Sequence, residues 1–102
     1  MAESNRPSLS HGQASEFYMA CRQGDLDLVN RYLKTMTPRE VNRVEESNNS
    51  TALHAAAYFG HKDVVKRLLE IGASVHTRNA YGNKAEQEAK TSEIKELFKG
   101  YK

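Results

Sequence analysis

The sequence predicts an all-α solenoid of about three helix-turn-helix units joined by short hairpin loops. A helical apolar pattern followed by a glycine turn occurs twice, because Gly24 and Gly60 stand 36 residues apart in equivalent settings. An offset of 33 residues places Ala52 over Ala85 and Ala56 over Ala89. Periods of this length are typical of stacked-repeat architectures.

The length and composition predict one folded domain. The chain has 102 residues, of which 38% are hydrophobic, and single domains commonly run to about 100 to 150 residues. Residues 1–14 contain little apolar surface besides Leu9, too little to offset the entropy of ordering, which predicts a disordered tail. The remaining domain, 15–100, divides into units of about 15–45, 46–78 and 79–100. Stacked folds need about three units to be stable, and this domain barely provides that number. We therefore expect its stability to be low.

The first unit is predicted to hold two helices and a short helical turn. Apolar residues follow a helical spacing over 17–33, interrupted at Gly24, and Asp25 is a typical N-cap. The run Thr-Pro-Arg-Glu at 37–40 predicts a capping box with proline at the first helical position. The polar run 45–50 predicts an exposed turn, because Asn and Ser stabilise bends by bonding to their own backbone.

The second unit repeats the helical pair and the third shortens it. Helices are predicted over 51–58 and 62–71, with a reversal at Gly60 and a stop at Gly72. In the third unit, residues 84–90 predict a polar helix, and Thr91 or Ser92 predicts the cap of a final helix. The apolar face of that last helix is Ile94, Leu97 and Phe98. Compared with the second unit, the third unit has about four fewer residues between its two helices, as in a terminal cap.

The second unit contains a long motif at residues 51–76, TALHAAAYFGHKDVVKRLLEIGASVH. This motif closely resembles the ankyrin repeat and departs from its usual Thr-Pro-Leu-His opening only at Ala52. The similarity extends over about 15–100. Thr51 caps the first helix, and His54 is placed to bond to the Thr51 hydroxyl or to nearby backbone. The resemblance implies a protein-binding scaffold or adaptor. Its structural positions here are Thr51, Leu53, His54, Ala56, Gly60, Val65, Leu68, Leu69 and Gly72.

A finer similarity concerns the beginning of the chain. Residues 17–33, 37–42 and 50–54 resemble the start of tankyrase-type ankyrin clusters. That resemblance implies an alternative function, as a regulatory or targeting piece associated with an ADP-ribosyltransferase. A catalytic domain of that kind does not fit within 102 residues.

The sequence predicts no enzyme activity, no cofactor and no metal site. Cys21 is the only cysteine, which excludes an intramolecular disulfide and any zinc site with two thiolates from this chain. His54 and His61 match no zinc spacing, and Cys21 aligns at the 36-residue offset with Ala57, which predicts a buried packing role. The glycines fit no phosphate-binding motif, and the carboxylates fall at caps or exposed helix faces.

Protein is the predicted partner. The sequence contains no run of about 20 apolar residues and no targeting segment at its amino end, which predicts an intracellular protein, cytoplasmic or nuclear, without a membrane partner. The net charge is only +2, and the lysines of the carboxyl half alternate with glutamates, so nucleic acid is a remote alternative. Self-association through the repeat ends stays open.

The candidate binding surface consists of the hairpin tips and the exposed ends of the inner helices, which ankyrin folds present on their concave side. Tyrosine and arginine dominate interface energies, so Tyr58 and Tyr81 lead the set. For Phe59, packing against the turn of the next repeat is an equal alternative. The predicted partner-binding residues are Arg22, Gln23, Ser47, Asn48, Ser50, Tyr58, Phe59, Arg78, Tyr81 and Asn83.

Overall fold

The computed structural model describes residues 15–45 and 49–101, so the predicted tail and the candidates Ser47 and Asn48 lie outside the described residues. Within those ranges the chain forms six α-helices and two 3₁₀ segments and contains no β-strand, which confirms the all-α prediction. The helices are α1 (Glu16–Gln23), α2 (Leu26–Leu33), α3 (Pro38–Val41), α4 (Ala52–Tyr58), α5 (Lys62–Glu70) and α6 (Ser92–Leu97). The 3₁₀ segments are Ala85–Glu88 and Phe98–Tyr101.

Polar side chains begin most of these helices, and all of these caps except Ser15 were predicted. The N-cap side chains of α1 to α4 and α6 each accept a hydrogen bond from a first-turn amide. A reciprocal capping box forms at α3 and again at α4, where His54 takes the role usual for glutamate. These caps satisfy amides that have no partner within the helix. The N-caps are Ser15, Asp25, Thr37, Thr51 and Thr91.

The reversals after α1 and α4 have the same geometry. In the first, the amides of Gly24 and Asp25 donate back to carbonyls of α1, and in the second those of Gly60 and His61 donate to the equivalent carbonyls of α4. Both glycines adopt a left-handed conformation, with φ of 78° and 82°. The turns at Gly24 and Gly60, which the sequence places 36 residues apart, are therefore equivalent in the structure.

The helices stack in two rows. The inner row is α1, α4 and the segment Ala85–Glu88, and the outer row is α2, α5 and α6. An apolar stripe on α5 is buried in this stack, at Val64, Val65, Leu68 and Leu69. Polar links cross between units as well: the His61 ring contacts the Arg22 carbonyl, and the Arg67 Nε donates to the Asn30 amide oxygen.

The predicted exposed turn at 45–50 is wrong at both ends. Glu45 is only 7% exposed and Ser50 only 4%. The Glu45 amide donates to the Ser50 carbonyl, and the Glu45 carboxylate accepts hydrogen bonds from the Ser15 amide and hydroxyl. This carboxylate thus closes the amino end of α1 from 30 residues away, a contact that local composition does not reveal.

The predicted polar helix over 84–90 is also wrong. Only Ala85–Glu88 is helical, and it forms a 3₁₀ turn instead of an α-helix. The Lys90 amide donates to the Ala57 carbonyl of α4 at 2.9 Å, which draws the chain out of the helical path. The shortened connection between the third unit's helices thus bonds to α4 of the preceding unit. The final helix is confirmed, with Thr91 as its cap and Ile94 and Phe98 buried.

Cys21 lies in the core, as its alignment with Ala57 predicts, and has no exposed surface. Burial, with a smaller contribution from the Glu45 carboxylate, raises the pKa of the Cys21 thiol to about 12. Because the thiolate is the reactive form, the native thiol is expected to be inert.

We therefore expect iodoacetamide to modify native Cys21 at least about 100-fold more slowly at pH 8 than the urea-unfolded chain. The pKa of the Cys21 thiol is 9.0 in the unfolded chain and about 12 in the native protein. The buried neutral thiol therefore makes its full contribution to the free energy of unfolding below pH 9. That contribution then decreases by about 1.4 kcal/mol per pH unit up to pH 12. Mass spectrometry of timed samples measures the labelling; equal native and unfolded rates would contradict the burial.

Candidate functional site

A groove of about 440 Å³ opens between the ends of α1 and α4 and the hairpin at 79–83. We call it the aromatic groove, since four of its nine lining side chains are aromatic. Buried residues form its base and exposed tyrosines stand at its rim. Its lining residues are Tyr18, Arg22, Ser50, His54, Ala55, Tyr58, Phe59, Tyr81 and Glu88.

One side of the aromatic groove is an aromatic cluster where α1 and α4 end. The Arg22 guanidinium lies over the Phe59 ring, 5.0 Å from its centroid. The Tyr58 ring meets Phe59 edge to face, with centroids 5.1 Å apart. Phe59 therefore packs toward the preceding unit, through Arg22, and supports Tyr58, which is 58% exposed.

The other side is a hairpin held by one buried asparagine. The Asn79 side-chain oxygen accepts from the amides of Tyr81 and Asn83, and its amide group donates to the Glu88 carboxylate. Arg78 adds a hydrogen bond to the Gly82 carbonyl. These bonds fix the backbone at Tyr81, whose side chain is 74% exposed.

His54 connects the two sides. Its Nδ1 accepts from the Thr51 amide, so the ring proton belongs on Nε2, which lies 2.8 Å from the Asn83 carbonyl and donates to it. The Thr51 hydroxyl also lies 2.9 Å from Nδ1. The predicted bond between His54 and Thr51 is thus confirmed, and the bond to Asn83 ties His54 to the hairpin that carries Tyr81.

The structure brings half of the predicted binding residues together. Arg22, Ser50, Tyr58, Phe59 and Tyr81 line the aromatic groove, although Ser50 is largely buried. The others are elsewhere: Gln23 lines a separate groove, Arg78 and Asn83 stabilise the hairpin, and Ser47 and Asn48 are not described.

Sequence reasoning missed three residues of this site that carry polar or aromatic groups. Asn79 begins the stretch Asn-Ala-Tyr-Gly-Asn, a pattern typical of a turn closed by an asparagine side chain, and could have been found from it. Glu88 and Tyr18 carry no comparable local indication. Their roles depend on partners in other units.

In 15–45 and 49–101, no three or more His, Cys, Asp or Glu side chains are grouped as metal ligands would be. No helix in that part of the chain combines the length and apolar character needed to cross a membrane.

Comparison with known proteins identifies the family. The pattern described as ankyrin repeats, in three copies, matches residues 17–99, which is most of the chain. The chain belongs to the ankyrin repeat family. Ankyrin repeats are in general non-catalytic protein-interaction modules, and the matched residues fall inside the predicted domain 15–100.

Individual relatives match part of this chain. The chain is 38% identical over 65 residues to human oxysterol-binding protein-related protein 1, covering 57% of this chain and 7% of the relative. It is 33% identical over 86 residues to the Arabidopsis thaliana potassium channel AKT2/3 (84% and 10%). It is 30% identical over 87 residues to Rattus norvegicus diacylglycerol kinase zeta (85% and 9%). The matches thus span a tenth or less of these relatives.

Proposed function

We propose that this ankyrin module binds a peptide or a loop of a partner protein in the aromatic groove, on the concave face, and performs no catalysis. The observation that carries the proposal is the pair of exposed tyrosines, Tyr58 and Tyr81, on opposite sides of the groove. Tyrosine is enriched among the residues that dominate binding energy at protein interfaces, and here two exposed tyrosines line one concavity.

The surroundings of the two tyrosines favour binding energetically. Tyrosine presents a large amphipathic surface and loses few rotamers when it is buried. Phe59 and Arg22 support Tyr58, and the Asn79 network fixes the backbone at Tyr81. A partner therefore meets a surface that is already ordered, which lowers the entropic cost of association. The volume of about 440 Å³ suits a short peptide segment.

Replacing Tyr58 and Tyr81 together with alanine is expected to weaken peptide binding at least 10-fold, because interface tyrosines commonly contribute more than 1 kcal/mol each. Peptides selected from a random display library against the wild-type protein supply the probes. Their dissociation constants for both proteins are measured by fluorescence anisotropy.

The matched control is Tyr101→Ala, since Tyr101 is an exposed tyrosine that does not line the aromatic groove. We expect this variant to bind the selected peptides as the wild type does, and the circular dichroism of all three proteins to agree. Equal affinity of the double variant and the wild type would refute the site.

Association with a tankyrase-type ADP-ribosyltransferase stays a prediction from the sequence, and the relatives named above belong to other classes of protein. Recovery of such an enzyme on the wild type and its loss on the Tyr58/Tyr81 variant would favour that alternative over a free-standing adaptor.

A further inference from the structure

A second groove lies on the first helical pair, apart from the aromatic groove. It measures about 370 Å³ and runs between α1 and α2. We call it the amino-end groove; its lining residues are Glu16, Met19, Ala20, Gln23, Leu28 and Tyr32. None of these residues lines the aromatic groove.

The structural repeat shows what this surface corresponds to. Adding the 36-residue offset to the six lining positions gives Ala52, Ala55, Ala56, Phe59, Val64 and Leu68 on α4 and α5. All of these except Phe59 are buried, and Phe59 contacts Arg22 of the first pair. Among the described residues, positions that neighbouring helices cover in the second pair therefore form an open groove in the first.

The side chains of the amino-end groove are suited to burial against another surface. Met19, Leu28 and Tyr32 are apolar or aromatic side chains that are only partly buried. The Tyr32 hydroxyl donates to the Glu16 carboxylate at 2.7 Å. Covering the groove would thus bury apolar surface without stranding this hydroxyl group.

We infer that the amino-end groove binds the same groove of a second copy of this chain, related by a two-fold axis. This contact would continue the helix-on-helix packing that joins the units within the chain. If the two-fold axis is perpendicular to α2, the two α2 helices run antiparallel. The exposed charges of α2 then complement each other, since Asp27 is near its beginning and Arg31 near its end.

The outer face of α6 and the turn that follows has a different chemistry. Among the described residues there, the exposed side chains are mostly charged, at Glu93, Lys95, Glu96 and Lys99, and Tyr101 is the one exposed aromatic side chain. A polar outer face is typical of a terminal repeat that ends a stack. The two ends therefore differ, and association is expected to close as an amino-end dimer instead of extending into a filament.

Sedimentation equilibrium of the full chain at low salt tests the inference. We expect the apparent mass to rise with concentration from 11.5 kDa toward twice that value. The contact area of one repeat end is small, so the dimer should be weak, with a dissociation constant on the order of 100 µM. A wild-type chain that remains monomeric at every accessible concentration overturns the inference.

Two sets of variants locate the contact. Met19→Glu places a charge in the groove and is expected to weaken the dimer more than 10-fold. Because Met19 packs partly on the core, the exposed pair Asp27 and Arg31 gives an independent readout. Asp27→Lys and Arg31→Glu should each weaken the dimer about 5-fold, and the double variant should restore it, since the opposed charges are merely exchanged.

The Tyr58/Tyr81 double variant separates this inference from the proposed peptide site. It should dimerise as the wild type does while it loses peptide affinity. If it fails to dimerise, the copies associate through the aromatic groove and the inference is wrong. A dimer that persists in both Met19→Glu and the single charge variants would equally overturn it.

Discussion

Replacing Gly24 with alanine is expected to lower the free energy of unfolding by about 3 kcal/mol, whereas the same change at Gly72 should cost only about 1 kcal/mol. Both glycines are left-handed, with φ of 78° and 88°, so both variants carry the same backbone penalty. A β-carbon at Gly24 would meet the His61 ring, whose nearest atom is Nδ1, whereas one at Gly72 meets nothing within 4 Å. Urea unfolding followed by circular dichroism gives both values.

The difference between the two variants is attributable to His61. Its ring lies over Gly24 and its Nε2 bonds the Arg22 carbonyl at 2.7 Å, a link between two units. A β-carbon at position 24 would displace the ring and break that link. Adding His61→Ala should therefore reduce the cost of Gly24→Ala to that of Gly72→Ala. If Gly24→Ala and Gly72→Ala destabilise the protein equally, the close packing at this junction is not important.

The Gly24 junction shows which features a sequence can predict. Its glycine, its cap at Asp25 and the matching turn at Gly60 are all local, and all were predicted. The partner that makes Gly24 indispensable is His61, which is 37 residues further along the chain. Periodicity predicts that two units stack, but the side chain that fills a given contact depends on the packing itself.

The wrong predictions have the same physical origin. The polar composition of residues 45–50 predicted an exposed turn. Glu45 is nevertheless buried, because it bonds to Ser15 at the beginning of α1. Residues 84–90 have helical propensity, yet the Lys90 amide bonds to Ala57 in the neighbouring unit. In both cases one hydrogen bond between distant parts of the chain overrides the local preference.

The candidate site was predictable to the extent that it follows from repeat geometry. Tyr58 and Tyr81 follow from their positions at a helix end and a hairpin tip, and both are exposed in the structure. The support beneath them was not predictable in the same way. Glu88 belongs to the site only because Asn79 and Asn83 donate to its carboxylate, and those bonds form when the shortened third unit folds against α4.

His54→Leu is expected to destabilise the protein by about 3 kcal/mol although it keeps a side chain of similar volume. The change removes the contacts of the ring with the Thr51 amide, the Thr51 hydroxyl and the Asn83 carbonyl, all at a side chain only 1% exposed. Buried groups left without partners carry the full cost of their desolvation. Chemical denaturation measures the loss, and Thr51→Val, which leaves the Asn83 bond in place, should cost less.

The same variant separates a local role from a global one. The His54 bond to Asn83 holds the hairpin that presents Tyr81, so its loss should accelerate hydrogen exchange of the Tyr81, Gly82 and Asn83 amides more than that of α2. Peptide affinity should fall with it, because a loosened hairpin must be ordered again on binding. Uniformly faster exchange over both regions would mean that His54 stabilises the whole stack equally and has no particular role in shaping the aromatic groove. A selective effect would place the histidine of the repeat motif in the support of the binding surface as well as in the fold.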